Sequence, residues 1–417
     1  MKAYRDIYDQ LSVDASFLWL LRTNAVNQPN FRSNDLLILE RRVDARLDGL
    51  MVTPEESWEL CAAAMETQQA GEIFAAAVLA FRSLDVSKIQ CVIEVGLTSP
   101  QGFKGLVSAL GWLPGRLCHS WIKKFLTSKD LNHKYLAVAT CSVRREDPRE
   151  YLTNIFQRED CIAHAKLYAR SLRLIGELKR RDLSAALSIA MQSENPHILF
   201  WAGWSAVLLG DRSFVKNLQP FVLKAGVHQS RAIDLAFRVL PIETARAWIS
   251  DLAKDPAQIR NVIKATANLG DPHAINWLIA QMRVPALSRL AGEAFTTITG
   301  IDLEEHRLAL EELPDLDAIL AKAAPNEDPA DSNVAIDEDD RLPFPDVDKV
   351  AAVWQKYQQR FVAGQRYFMG QGITEDHLTN VYNSGNQHQR RAAALELALL
   401  QPAQYLLNHA IKGLTEE

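Results

Sequence analysis

Between Gln258 and Gly300 apolar side chains recur at helical spacing in three runs, Ile259–Leu269, Ala274–Met282 and Leu287–Thr299. Gly270 suits the left-handed residue that ends the first run, and Asp271-Pro272 supplies an N-cap and a first-turn proline for the second. Val284-Pro285 breaks the second run and Gly300 closes the third. A helix pair this short cannot bury its own apolar face and needs a similar pair on each side.

The chain supplies such pairs. Helices predicted to end near Arg145, Gly176, Gly210, Pro241, Gly270 and Gly300 are separated by 31, 34, 31, 29 and 30 residues, and GEIFAAAVLAFRSLD from Gly71 and GFKGLVSALGWLPG from Gly102 lie 31 apart. A sustained period near 31 with two helices per unit predicts an all-α chain, an α-solenoid of short HEAT-like helical-hairpin repeats. The competing reading is an irregular all-helical globule.

Upstream, Met1–Asn30 reads as short helices, with Asp14 as a cap for Phe17–Leu21. A longer helix runs from Asn34 to Asp48, and Thr53-Pro54-Glu55-Glu56 reads as a capping box. Start signals recur at Ser99-Pro100, Asp147-Pro148, Asn195-Pro196 and Asp255-Pro256. Downstream, Val350–Phe361, Thr374–Tyr382 and Gln387–Leu400 read as helices around a turn-rich GQRYFMGQG loop. The expected organisation is N-terminal helices and a capping repeat over 1–70, repeats over 71–301, an acidic linker or strap over 302–348 and a C-terminal helical cap over 349–417. Arg390 and Arg391 suit the polar outer face that a terminal repeat presents.

Charge sharpens this division. Asp302–Asp348 holds 16 Asp and Glu against 3 Lys and Arg, a net −13, while the chain as a whole carries −5 and Met1–Ile301 carries +6. The core of the acidic stretch, APNEDPADSNVAIDEDDRLPFPD, is rich in proline and poor in large apolar groups, which predicts an irregular connector. It would dock on a basic partner or fold back over the basic repeats.

The start, MKAYRDIYDQ, has no apolar h-region and predicts no signal peptide, and the longest mostly apolar run, Ile198–Leu209, is too short to span a bilayer. Five cysteines, Cys61, Cys91, Cys118, Cys141 and Cys161, with no CxxC, read as buried free thiols in a reducing cytoplasm.

Chemistry is sparse. The chain has no phosphate-binding GxxxxGKS/T loop, strand-borne GxGxxG, HExxH or GxSxG, so no catalytic, cofactor or metal residue is assigned. Asp337-Glu338-Asp339-Asp340 lacks the glycine and distal glutamate of a calcium loop. His133, His164, His197 and His228 recur at 31, 33 and 31 residues near helix starts. Packed helices sit about 8–10 Å apart, and zinc ligands lie about 2 Å from the ion, so two rungs are not expected to share one metal. Trp201, Trp204 and Phe200 form the densest aromatic cluster; 200, 204 and 207 share one helical face, and core is the favoured reading for the two tryptophans, while Trp201 points elsewhere and is the candidate for an exposed contact. Candidate partner-binding residues are therefore Trp201, Asp337, Glu338, Asp339, Asp340 and Phe344.

Four blocks carry a resemblance: EAFTTITGIDL (Glu293–Leu303), LPFPD (Leu342–Asp346), GQRYFMGQ (Gly364–Gln371) and RRAAALELALLQP (Arg390–Pro402). In that order they resemble an uncharacterised bacterial family of HEAT-like repeat proteins found in type VI secretion gene neighbourhoods. Phe344 stands where that family's block is expected to hold Trp. The resemblance implies no catalytic residue. It implies a cytoplasmic binding protein whose partner is a secreted effector or secretion component, acting as immunity protein, adaptor or chaperone. Alternatives are a HEAT-like DNA enzyme of the alkylpurine glycosylase type, against which the mild basic charge and acidic strap argue, or a general scaffold.

Overall fold

The structure is a computed structural model that describes residues 2–311 and 339–413. Its framework is two layers of helices. The inner layer comprises Ala70–Ser83, Pro100–Trp112, Leu131–Arg144, Ala165–Glu177, Pro196–Leu208, Gln229–Val239, Ile259–Leu269 and Pro285–Thr299. These helices start 26 to 34 residues apart, as the sequence period requires. The outer layer is built from Pro54–Ala64, which precedes the first of them, and from the helices between them, among these Val86–Gly96, Gly115–Thr127, Ile242–Leu252 and Ile275–Gln281. The fold is thus all-α, a stack of helical hairpins.

Local signals set the starts. Ser99 accepts from the Gly102 amide at 3.0 Å, Asn195 from His197 at 3.0 Å, and Asp271 from His273 at 3.1 Å. Each satisfies an amide that the first turn leaves without a helical partner. Thr53 differs: Pro54 occupies the first turn but the Thr53 hydroxyl makes no capping bond. Gly270 and Gly300 end their helices at φ of 71° and 69°, the left-handed geometry expected of them.

Inner helices are buried on nearly all sides; every residue from Ile73 to Phe81 is covered. The core follows this layer, with Phe74, Phe81, Phe200, Phe237 and Phe295 fully buried. Successive inner helices pack on one another directly, except at Pro196–Leu208 and Gln229–Val239, where the segment Arg212–Leu218 packs against both. At that junction Phe200 stacks on His228, the residue that precedes Gln229–Val239, with centroids 4.1 Å apart.

The N-terminal region differs from expectation. Lys2–Ala25 is one continuous helix of 24 residues, paired with Ser33–Leu50. Asp14 is not a cap: its carboxylate accepts from Arg46 at 3.0 Å and from Gln10 at 2.7 Å. The GQRYFMGQG stretch contains a tight hairpin, Tyr367–Phe368 against Gln371–Gly372.

Most of the acidic strap, including Asp337 and Glu338, lies outside the described residues. Its described ends are tied to each other. Leu310 donates to the Phe344 carbonyl at 2.8 Å, and Asp346 donates to Leu308 at 2.7 Å.

Candidate interaction surfaces

In an α-solenoid the inner layer presents a long open face for partners. Here the C-terminal residues cover one edge of it. After the last inner helix and the helix Val347–Tyr357, the chain does not add another stacked unit. It turns back along the C-terminal ends of the inner helices. Tyr367 donates to Gly270 at 2.8 Å, and Met369 to Thr297 at 2.7 Å. Arg366 reaches the carbonyls of Arg238 at 2.6 Å, Leu269 at 3.1 Å and Asn268 at 3.3 Å, and pairs with Glu396. Lys179 bonds the carbonyls of Leu208 and Ala398. Leu406 donates to Glu177 at 2.9 Å and accepts from Arg145 at 2.6 Å; Asn408 donates to Val143 at 2.7 Å. The arm ends beside Ser33–Leu50, where Lys412 pairs with Asp44 at 2.7 Å.

The reason lies in the helices. Their last four carbonyls have no helical donor, and their C-terminal ends carry partial negative charge. A strand of arginine, asparagine and backbone-amide donors laid across those ends satisfies both. Arg390 and Arg391 accordingly do not form an outer polar cap. Arg390 donates to the Tyr382 carbonyl and Arg391 pairs with Asp234 at 2.9 Å.

The helix Gln387–Leu400 also joins the two ends of the stack. Gln387 donates to the Phe31 carbonyl at 2.9 Å, in the turn after the first helix. His388 contacts the Asn27 carbonyl through Nε2 at 2.8 Å and Glu293 of the last inner helix through Nδ1. Both contacts are to acceptors, so both ring nitrogens donate only when the ring is protonated. Burial pushes the His388 imidazole down, but the Glu293 carboxylate and the Asn27 carbonyl outweigh it and hold the ring above its ordinary value. Burial pushes Glu293 up, and His388 with Lys264 brings it back below the usual carboxylate range. A raised histidine contributes stability that is complete below its unfolded value of about 6.5 and is lost as pH rises through the folded value. Wild-type protein is therefore expected to lose urea resistance above neutral pH, and His388→Gln to flatten that slope. Parallel slopes in the two proteins would show that the pair does not latch the ends.

Each predicted contact residue has a defined place. Trp201 is not exposed; it retains 5% of its surface. Arg173 and Arg231, from the two neighbouring inner helices, lie 4.8 and 5.6 Å from its ring, and Trp204 packs edge-on at 5.2 Å. Sequence periodicity sets Trp201 apart from Phe200 and Trp204, but its ring packs against both, at 5.0 and 5.2 Å, and neighbouring helices supply cations that cover it. Asp339 is buried, its carboxylate held by Arg260 at 2.6 and 2.9 Å and its carbonyl by Arg289 at 2.8 Å. Phe344 is buried beneath Arg289, 5.1 Å from the ring centre. Asp340 is half-buried and accepts from Gln28 at 3.1 Å. The described part of the acidic motif thus ties the strap to the stack.

The four histidines share helix starts but not a role. His164 caps its own helix by accepting from Leu167, and His133 meets Ser128 at 3.1 Å. His197 and His228 meet at 2.8 Å: the side chains bridge the interaxial gap between adjacent rungs. Among the described residues no group of three or more His, Cys, Asp or Glu is placed to hold a metal ion. All five cysteines are free; four are buried and Cys91 is half-buried, and burial pushes the Cys141 thiol up to about 12. Among the described residues no helix is long and apolar enough to cross a membrane.

One surface escaped the sequence reading. Val13, Phe17 and Leu21, spaced i, i+4 and i+8, stand exposed along one face of the first helix, with Ile38 exposed on the second. Beside them Leu21, Phe31, Leu39, Gln28 and Arg341 line a shallow pocket of about 270 Å³. The signal was present as an apolar stripe on the terminal helix, but periodicity alone does not say which of two faces is covered.

Comparison with known proteins yields no matching family model, no matching curated protein and no matching solved structure.

Proposed function

We propose that this chain is a non-enzymatic, cytoplasmic protein-binding solenoid that serves a type VI secretion effector as immunity protein, or as adaptor or chaperone. The observation that carries the binding role is the exposed apolar stripe of Val13, Phe17 and Leu21 on the terminal helix of the stack. A helical-repeat protein ordinarily closes such an end with polar side chains, and contiguous exposed apolar surface marks interaction sites. The effector as partner rests on the four sequence blocks from Glu293 to Pro402.

A DNA enzyme on the same scaffold needs a continuous basic groove. The inner face instead interleaves Glu177, Asp234, Glu293 and Glu396 with its arginines. Gel shifts with duplex DNA at low salt are expected to show no tight complex, and tight binding would displace the protein-binding reading. Immunity separates from adaptor function in growth assays. If the partner is toxic when expressed alone, rescue by this chain assigns immunity; a harmless partner that needs this chain for its solubility assigns the adaptor or chaperone role.

A further inference from the structure

Past the helix Gln387–Leu400 the chain forms neither helix nor strand, and it crosses the C-terminal ends of four inner helices in reverse order. Pro402 lies beside Gly210, just past the end of Pro196–Leu208. The Leu406 N–H donates at 2.9 Å to the carbonyl of Glu177, the last residue of Ala165–Glu177. Asn408 donates at 2.7 Å to the carbonyl of Val143, near the end of Leu131–Arg144. Lys412 stands 4.7 Å from the ring centre of Trp112, the last residue of Pro100–Trp112. Packed helices sit about 8–10 Å apart, and a chain reaches about 3.3–3.6 Å per residue. The ten residues from Pro402 to Lys412 therefore cross these gaps only when largely extended.

Side chains that meet the stack alternate along this segment. Leu406 packs against the main core and Asn408 reaches Val143. Ala410 packs against the cluster of Ala25, Val26 and Leu36, and Lys412 pairs with Asp44 at 2.7 Å. Tyr405 and Ile411, outside this register, are exposed. That is the two-residue period of an extended chain lying on a surface. The main chain is held as well: Arg145 donates to the Leu406 carbonyl at 2.6 Å, and the Gly413 N–H donates to Glu40 at 2.9 Å. Main-chain bonds for affinity, with alternate side chains for choice, are how extended peptides are recognised.

The fixed and the detachable parts of the arm are distinct. Gln387–Leu400 buries Gln387, Ala393, Ala394, Glu396, Leu397 and Ala398. From Gln401 to Gly413 no residue is buried. Segments with few buried contacts are the first to open.

We infer that Gln401–Gly413 is a displaceable plug, filling a groove that takes a non-helical segment of a partner protein in the same register. That segment carries an apolar side chain, an amide two positions on, a small side chain four on and a cation six on. Asp44 and the Trp112 ring form the cation pocket, and the indole N–H donates to Asp44 at 2.8 Å, which orients both. The inference rests on the reading of the chain as a binding protein and gives it a second contact surface, apart from the stripe on the first helix.

The test uses the full chain and a labelled peptide of sequence QPAQYLLNHAIKG. In wild type the tethered segment competes at an effective concentration on the order of millimolar, so micromolar peptide is expected not to bind. Leu406→Asp loosens the tethered copy. In fluorescence anisotropy it is expected to bind the peptide at least about tenfold tighter than wild type does. Asn408→Ala combined with Lys412→Ala removes two contacts and reaches the same state should thermal melts show Leu406→Asp unfolded. A peptide carrying Lys412→Glu is expected to bind at least about tenfold more weakly. No binding to a folded variant, or equal binding to the variants and wild type, overturns the inference. A wild-type dimer that Leu406→Asp dissolves also overturns it, because a second copy then supplies the segment. A native protein partner is expected to co-purify in larger amount with Leu406→Asp than with wild type. Equal recovery leaves the binding function standing and overturns only the plug.

Discussion

Replacing Glu177 by glutamine is expected to destabilise the protein by about 3–5 kcal/mol, the range for breaking a buried ionic network by removing one partner. Glu177 ends an inner helix with its side chain 1% exposed. Its carboxylate accepts from Arg173 at 2.9 Å, meets Arg145 at 3.2 Å and is bonded by the Ser142 hydroxyl. Burial pushes the carboxyl up, but Arg145, Arg173 and Arg170 outweigh it and hold it down at about 2. Glutamine keeps the shape and removes the charge, leaving buried guanidiniums without their counter-charge. The pH dependence follows with a definite sign. A depressed carboxylate contributes stability above its unfolded value of about 4.3, lost as pH falls toward the folded value. Wild type is therefore expected to lose urea resistance steeply between about pH 4.5 and pH 2, and Glu177→Gln to lose less over the same range. A change in unfolding free energy below about 1 kcal/mol at neutral pH would mean that the network is not a unit.

Gly270→Ala is the second large effect. Gly270 sits at φ 71°, and a methyl group there runs into the Tyr367 carbonyl oxygen of the arm. The backbone term and the steric term together are expected to reach about 3 kcal/mol. Gly364 separates them, since it sits at φ 84° with nothing within 4 Å of an added methyl. Gly364→Ala is expected to lose only the backbone term, about 1 kcal/mol. Equal losses from the two substitutions, read from denaturant midpoints, would remove the arm from the face of the stack.

How far the sequence reached depends on the range of the interactions. Repeat boundaries are written locally: Ser99, Asn195 and Asp271 cap helices two or three residues away, and Gly270 and Gly300 stop them. Asp14 shows where local reasoning fails. Aspartate is a strong N-cap residue, but Arg46, 32 positions away, claims its carboxylate and the helix runs through. The arm was illegible for the same reason. Lys179 reaches Ala398 across 219 residues, and His388 reaches Asn27 across 361. Nothing in the RRAAALELALL pattern distinguishes a helix that caps the stack from one that lies against it. Trp201 was the candidate for an exposed contact, yet the arginines that cover it come from other repeats. Three of the six predicted contact residues, Trp201, Asp339 and Phe344, are buried, Asp340 is half-buried, and Asp337 and Glu338 lie outside the described residues. The exposed ridge of Val13 and Phe17 was found only once the covered face of that helix was known.

The most direct measurement is affinity purification of the tagged full chain from its native cells, with the recovered molecules identified and counted by mass spectrometry. The account predicts one dominant protein partner in a fixed ratio to the chain. Recovery of nucleic acid or a small molecule in place of any protein would contradict it and return the chain to the enzyme class.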